Sequence, residues 1–280
     1  MSTLLASLRR PRRAAATDAP ITAGLTRRDL LAFAAKGAAG VVVSQSLVAC
    51  TADALTGTSE SGTGTTTGTT TGGSTSAASC VLTAALTEGP YFVDEKLERS
   101  DIRADPATGA VSAGLPLSLT FNVTRAGTNA CTPLTGAYVD VWHCDAAGAY
   151  SDVAQNGTAG RKFLRGYQLT DANGQARFTT IYPGWYSGRA VHVHFKLRLF
   201  AGSTKTYEFT SQFFFDEALT DAVHAQAPYS SKGRRNVLNT TDGIYNALTT
   251  AQKAALTLRT AADAAAGGYA GVIDLAVQVG

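Results

Sequence analysis

Tyr150, Tyr186, His192 and His194 offer two phenol oxygens and two imidazole nitrogens within one stretch of chain. Side chains at i and i+2 of a strand project from the same face, so His192-Val193-His194 presents two ring nitrogens side by side while Val193 points away. That spacing suits chelation of one ion. Tyr150 follows Ala147-Gly148-Ala149 and Tyr186 ends Pro183-Gly184-Trp185-Tyr186, and each lies close behind a glycine turn that can swing a side chain into a mouth between strands. Taken singly, a His-x-His pair is ordinarily solvent-facing and a turn tyrosine ordinarily packs. In combination, two imidazoles and two hard, anionic phenolates without a thiolate donor favour Fe(III) over Zn(II) or Cu(I).

The elements that must carry these residues read as short strands. Leu117, Leu119, Phe121 and Val123 alternate with Ser118, Thr120 and Asn122, which is the pattern of a half-buried strand. Ala137 to His143 forms a second. Gly166 to Leu169 and Arg177 to Tyr182 flank the turn Asp171-Ala172-Asn173-Gly174, where Asn-Gly is a hairpin signal. Val191 to Phe200 alternates an apolar stripe with His192, His194, Lys196 and Arg198, and further strands fit Tyr207 to Phe215 and Val272 to Val279. Ala-rich Thr250 to Ala265 predicts a short helix. Closely spaced strands with turn signals imply an all-β fold, an antiparallel β-sandwich.

The chain has 280 residues and a net charge of +3, but residues 1–49 alone carry seven basic and two acidic groups. The remainder is therefore mildly acidic, and no nucleic-acid partner is expected. Thr26-Arg27-Arg28-Asp29-Leu30-Leu31 precedes a mildly apolar run and resembles a twin-arginine (Tat) export signal, whereas Lys36 in mid-run argues against a membrane-spanning anchor. The run ends at Leu47-Val48-Ala49-Cys50, which is similar to a lipobox and makes Cys50 a candidate lipidation site and the only expected link to a membrane. From Thr56 to Ser79, 21 of 24 residues are Gly, Ser or Thr, a composition that cannot build a core. As a random coil it would span roughly 25 to 30 Å. The organisation expected is a signal segment over 1–49, a flexible tether over 50–79 and a β-sandwich catalytic domain over 80–280, exported to a bacterial envelope or beyond it. In that oxidising setting Cys80, Cys131 and Cys144 leave one pair and one thiol over. A Cys80–Cys131 bridge would pin the start of the domain and leave Cys144 a buried free thiol, but spacing alone leaves the connectivity open.

Four motifs carry a family resemblance: Glu88-Gly89-Pro90-Tyr91-Phe92, Gly148-Ala149-Tyr150-Ser151, Pro183-Gly184-Trp185-Tyr186 with Arg189-Ala190-Val191-His192-Val193-His194-Phe195, and Thr210-Ser211-Gln212-Phe213. Their order resembles that of the intradiol ring-cleavage dioxygenases, the family of protocatechuate and catechol dioxygenases, over about half the chain. The resemblance implies non-haem Fe(III) held by Tyr150, Tyr186, His192 and His194. It further implies a catechol-type substrate bound through both oxygens, and cleavage between the two hydroxylated carbons with O2 to a muconate-type diacid. Arg189 would then stabilise negative charge on the substrate, Tyr186 would accept a substrate proton, and Gln212 and Tyr91 would line the pocket. His143 matches no ligand position of the family and reads as structural, and His224 reads as an inert residue of a polar loop. Only five residues separate Tyr186 from His192, a short link that thins the usual pocket wall and opens the choice of substrate. A tethered β-sandwich binding module for carbohydrate or protein, without catalysis, and a metal-storage or redox lipoprotein with the same four ligands but no substrate are the alternatives.

Overall fold

The computed structural model describes residues 81–127 and 130–280. The signal segment, Cys50, the tether and Cys80 lie outside the described residues. No helix among the described residues is long and apolar enough to cross a membrane.

Nine strands form two stacked sheets. One has the order β2-β1-β9-β8, with β5 also paired to β1; its members are β1 (Pro116–Ala126), β2 (Cys131–Pro133), β5 (Gln175–Ile181), β8 (Arg259–Asp263) and β9 (Gly268–Val277). The other has the order β4-β3-β6-β7, from β3 (Tyr138–Trp142), β4 (Arg165–Leu169), β6 (His192–Ala201) and β7 (Thr204–Phe214). All pairings are antiparallel except that of β1 with β9, which is parallel. The inward residues of β1 alternate as expected and fill the space between the layers. Phe121 is the hub, with the rings of Phe178, Phe195 and Phe213 at 5.7, 5.8 and 5.9 Å. Burying a side chain of that size removes enough apolar surface to stabilise by roughly 1.5 to 3 kcal/mol.

Strand β6 departs from simple alternation because both of its faces are covered, from His192 through Arg198. Its inner face, Val193, Phe195 and Leu197, joins the core. Its outer face lies beneath the segment from Leu86 to Glu98, which the outer-face charges tie down. Lys196 pairs with Glu88 and sits 4.0 Å from the ring centre of Phe92. Arg198 bonds Asp94 at 2.8 Å and Asp140 at 2.7 Å. Backbone bonds from Leu86 to Thr210 and from Tyr167 to Leu97 fasten the segment at both ends.

Two expectations are corrected. The Asp171 to Gly174 turn closes as predicted, with Gly174 N–H donating to Asp171 O at 2.9 Å, but it does not make a hairpin. β4 pairs with β3 and β5 with β1, so the turn carries the chain from one sheet to the other. Gly174 is packed against β1, and a Cβ there would stand 2.3 Å from Val123 O. The Ala-rich stretch is helical only over Thr250–Ala255 and then becomes β8. Helix preference is worth only a few tenths of a kcal/mol per residue, whereas Arg259 to Asp263 complete a ladder along the open edge of β9.

Gly174 and Gly109 both adopt left-handed φ, +73° and +71°, yet only Gly174 faces a neighbouring backbone. Gly109→Ala should therefore cost about 1 kcal/mol from conformation alone, and Gly174→Ala roughly 2 to 4 kcal/mol. Urea unfolding of the two variants checks this, and equal losses would contradict the close packing of the turn on β1.

Candidate metal centre

The end of β3 and the start of β6 set two of the four donors. Trp142 pairs with His194 across the ladder, and its ring stacks on the imidazole at 5.0 Å with planes 8° apart. His192 and His194 are 2% and 1% exposed. The other two donors come from loops that interlock. Gly184 N–H donates to Asp145 O at 3.1 Å, and a Cβ on Gly184 would lie 2.4 Å from Ala146 O. A Cβ on Gly148 would lie 2.0 Å from Trp185 O. Only glycine at both places lets the two tyrosine loops touch, which brings the rings of Tyr150 and Tyr186 to 5.6 Å.

The proton inventory of this cluster is short. His192 Nδ1 donates to Ala190 O at 2.7 Å, since a carbonyl can only accept, so Nε2 keeps its lone pair. Into that lone pair point His194 Nε2 at 3.0 Å and Tyr186 Oη at 3.1 Å. His194 Nδ1 and the fully enclosed Tyr150 Oη have no hydrogen-bond partner. Buried polar atoms are almost always paired, so the unpaired Tyr150 oxygen near imidazole nitrogens with a free lone pair marks a place suited to a cation, whereas His194 Nδ1 faces away from it. No group of three or more His, Cys, Asp or Glu side chains able to hold a metal occurs among the described residues, so a metal here needs the tyrosines. Two imidazoles and two phenols fit a hard trivalent ion.

Burial, and next the charge of Arg189, push His192 down to about 3. Burial and then the His192 charge hold His194 well below the ordinary histidine value. Burial pushes Tyr186 up to about 12 against the opposing pull of Arg189, and burial raises Tyr150 further. Both imidazoles are thus neutral at pH 7, the state in which an imidazole can bind a metal, while both phenols need a positive ion to give up their protons.

The remaining predicted residues gather around the donors. Tyr91 has its ring 4.6 Å from that of Tyr150 and 6.1 Å from that of Tyr186. Arg189 reaches Gln212 Oε1 at 2.6 Å, and Gln212 Nε2 donates to Thr87 O at 2.7 Å. A cavity of about 350 Å³ bounded by Pro90, Tyr91, Asp152 and Val153 opens beside this group. A larger one of about 820 Å³ lies between the 230–241 loop and helix α1 (Glu217–His224); none of the four candidate donors lines either cavity, and only the smaller includes Tyr91.

His143 is buried between Cys144 O at 2.8 Å and Thr180 Oγ1 at 2.7 Å. His224 is corrected: it ends α1, is nine-tenths buried, and donates from Nε2 to Pro183 O at 3.0 Å, bracing the loop that carries Tyr186. Cys131 is disulfide-bonded and Cys144 is a buried free thiol; the pairing expected with Cys80 falls outside the described residues. Two residues escaped the sequence reading. Arg165, 2% exposed, donates to Tyr91 O at 2.6 Å, Ser151 Oγ at 2.8 Å and Ser151 O at 2.6 Å, and so stitches the Tyr91 loop to the Tyr150 turn. Asp242 holds Arg189 Nε at 2.8 Å. The Asp242-Gly243-Ile244-Tyr245 run carries a helix-cap signal, but nothing in it points to Arg189.

Burial also lowers His143 to about 4. Between the ordinary value near 6.5 and these depressed values the unfolded chain takes up protons that the folded one refuses, so stability rises with pH across that window. Metal-free protein should lose roughly 2 kcal/mol for each of His143 and His192 between pH 7.5 and pH 5. Urea midpoints across that range check it, and a flat profile would contradict the burial of neutral imidazoles.

Comparison with known proteins bears on this geometry. The sequence model of the family described as Dioxygenase matches residues 87–242, more than half of the chain. Catechol 1,2-dioxygenase 1 of Acinetobacter lwoffii is 28% identical over 154 residues, which are 47% of this chain and 45% of that protein. The match thus spans under half the length of that curated relative. The solved intradiol ring-cleavage dioxygenase of Tetranychus urticae superposes with a TM-score of 0.60 at 28% identity, over 71% of this chain and 95% of that one. The 3-chlorocatechol 1,2-dioxygenase of Rhodococcus opacus 1CP shares the fold, with a TM-score of 0.50 at 21% identity over 71% and 73%. With the matched stretch running from the Glu88 loop to Asp242 across all four donors, the chain belongs to the intradiol ring-cleavage dioxygenase family.

Proposed function

We propose that the protein is a non-haem Fe(III) enzyme that opens catechol-type rings between their two hydroxylated carbons, using both atoms of O2, to give a muconate-type diacid. The observation that carries this reading is that His194 Nε2 and Tyr186 Oη each lie about 3 Å from His192 Nε2, with the ring of Tyr150 5.6 Å from that of Tyr186. Tyr150, Tyr186, His192 and His194 would hold the iron. Fe(III) bound there supplies Lewis acidity and a template on which a vicinal diol can chelate.

The protein's own groups do the rest. Tyr186 is the more accessible of the two phenols, so its Oη is the one assigned to accept a proton from a substrate hydroxyl. Arg189, whose side chain is 17% exposed, faces charge building on the ring-bound oxygens and needs no proton transfer to stabilise it. Gln212 fixes the guanidinium, and Tyr91 with Pro90 lines the cavity beside the site. The domain is read as spanning 80–280 behind the 50–79 tether. Export and anchoring through Cys50 are part of the same proposal, and the disulfide at Cys131 accords with an oxidising compartment.

Iron-loaded protein should be coloured, because tyrosinate bound to Fe(III) absorbs visible light, and anaerobic catechol should shift that absorption. Admission of O2 should then yield the diacid. A colourless iron-loaded protein removes both the enzymatic and the storage readings, and a spectrum indifferent to every catechol removes the enzymatic one. Tyr186→Phe should keep its iron yet lose turnover by about 10² to 10⁴-fold. Wild-type rates from that variant would refute proton acceptance at Tyr186. His194→Ala should fail to retain the metal when dialysed against chelator, and full iron occupancy would exclude His194 as a ligand.

A further inference from the structure

A carboxylate with a fully enclosed side chain must be satisfied from all sides, and Asp242 is such a group. Its Oδ1 accepts from Ile244 N at 2.8 Å and Tyr245 N at 3.0 Å, capping helix α2 (Gly243–Asn246). Its Oδ2 accepts from Ala190 N and Arg189 Nε, both at 2.8 Å. Burial disfavours its charge, but these donors prevail and hold its carboxyl below the usual carboxylate value. One carboxylate thus joins a cap in the C-terminal region to the two residues that lead into His192.

The consequence lies in which part of the guanidinium remains free. Nε is committed to Asp242, and Nη2 gives one bond to Gln212 Oε1 at 2.6 Å. Gln212 cannot yield, because its own Nε2 is fixed on Thr87 O at 2.7 Å. Those two acceptors take the side edge of the planar fork, and Nη1 bonds to none of the described residues. The Nη1/Nη2 end keeps its donors and its field acts on Tyr150, Tyr186, His192 and His194. A guanidinium is a rigid fork, so anchoring its side edge sets the direction of its end.

We propose that Asp242 is a positioning residue, which through Arg189 Nε and Ala190 N–H aims the free end of the guanidinium at the oxygen of a metal-bound diol and so governs turnover without touching substrate. This rests on the functional reading above. Asp242→Asn is nearly isosteric and removes the charge; asparagine is itself a good helix cap, so its oxygen stays on Ile244 and Tyr245 N–H and its N–H₂ is left facing Arg189 Nε and Ala190 N–H. Arg189 then loses one of its two anchors. A displacement of that kind is enough to slow a reaction by about 10²-fold.

The test is a double-mutant cycle on iron-loaded full-length protein with catechol, comparing wild type, Asp242→Asn, Arg189→Ala and the double variant. Asp242→Asn should lower kcat by about 10- to 100-fold with KM changed less than about threefold. Its visible absorption should match wild type, and in the Arg189→Ala background it should cost less than about twofold more. Wild-type kcat in Asp242→Asn, full multiplication of the two losses, or loss of colour together with rate would each overturn the proposal. Should Asp242→Asn not fold, Asp242→Ser, whose hydroxyl retains the helix cap, carries the same cycle; failure of both to fold assigns Asp242 a purely structural role and overturns it too. A wild type that turns over no catechol defeats the functional reading itself, an outcome distinct from an active wild type with an indifferent Asp242 variant.

Discussion

His194 Nε2 and Tyr186 Oη are each pressed to about 3 Å from His192 Nε2, and the rest of the domain is arranged to hold them there. His192 Nδ1 spends its proton on Ala190 O, so Nε2 can only accept, and two further polar atoms crowd that lone pair. Desolvation keeps both imidazoles uncharged. Without a cation the arrangement leaves the enclosed Tyr150 Oη without a well-formed hydrogen bond, at a cost of about 1 to 3 kcal/mol. The domain carries that local penalty through packing elsewhere, which is the usual balance at a functional site.

Several devices enforce the crowding. The inner face of β6 is locked into the phenylalanine cluster around Phe121, so the histidines on its outer face have no freedom to withdraw. The Leu86 to Glu98 segment covers that outer face and is held by ion pairs to Lys196 and Arg198. Gly148 and Gly184 permit the two tyrosine loops to interlock, His224 braces one of them through Pro183 O, and Arg165 binds the other to the Tyr91 loop. Asp242 and Gln212 grip Arg189 by its side edge.

The alternation of β1 and the apolar stripe of β6 were legible because a period of two survives wherever one face meets a core. The paired histidines and turn tyrosines were legible because their chemistry is unusual in combination. The cover over β6 was not: Lys196 and Arg198 stand in the sequence only as the polar side of an alternation, and the covering segment that pairs with them, through Glu88 and Asp94, lies over 100 residues earlier. The Asn173-Gly174 turn announced a reversal of the chain but not that its two strands join different sheets. Alanines 261 and 262 carry no packing signal of their own, so the ladder with β9 decided their state against local preference. Arg165 and Asp242 belong to the same class, since each acts through acceptors or donors from distant segments that no local window contains.

The central claim is that Tyr150, Tyr186, His192 and His194 share a single iron. Anomalous diffraction at the iron edge from crystals of iron-loaded protein tests it most directly. The account predicts one strong peak bonded to all four side chains, beneath Tyr91 and facing Arg189. A peak bonded to the histidines but to neither tyrosine, or iron found only on the surface, would contradict it.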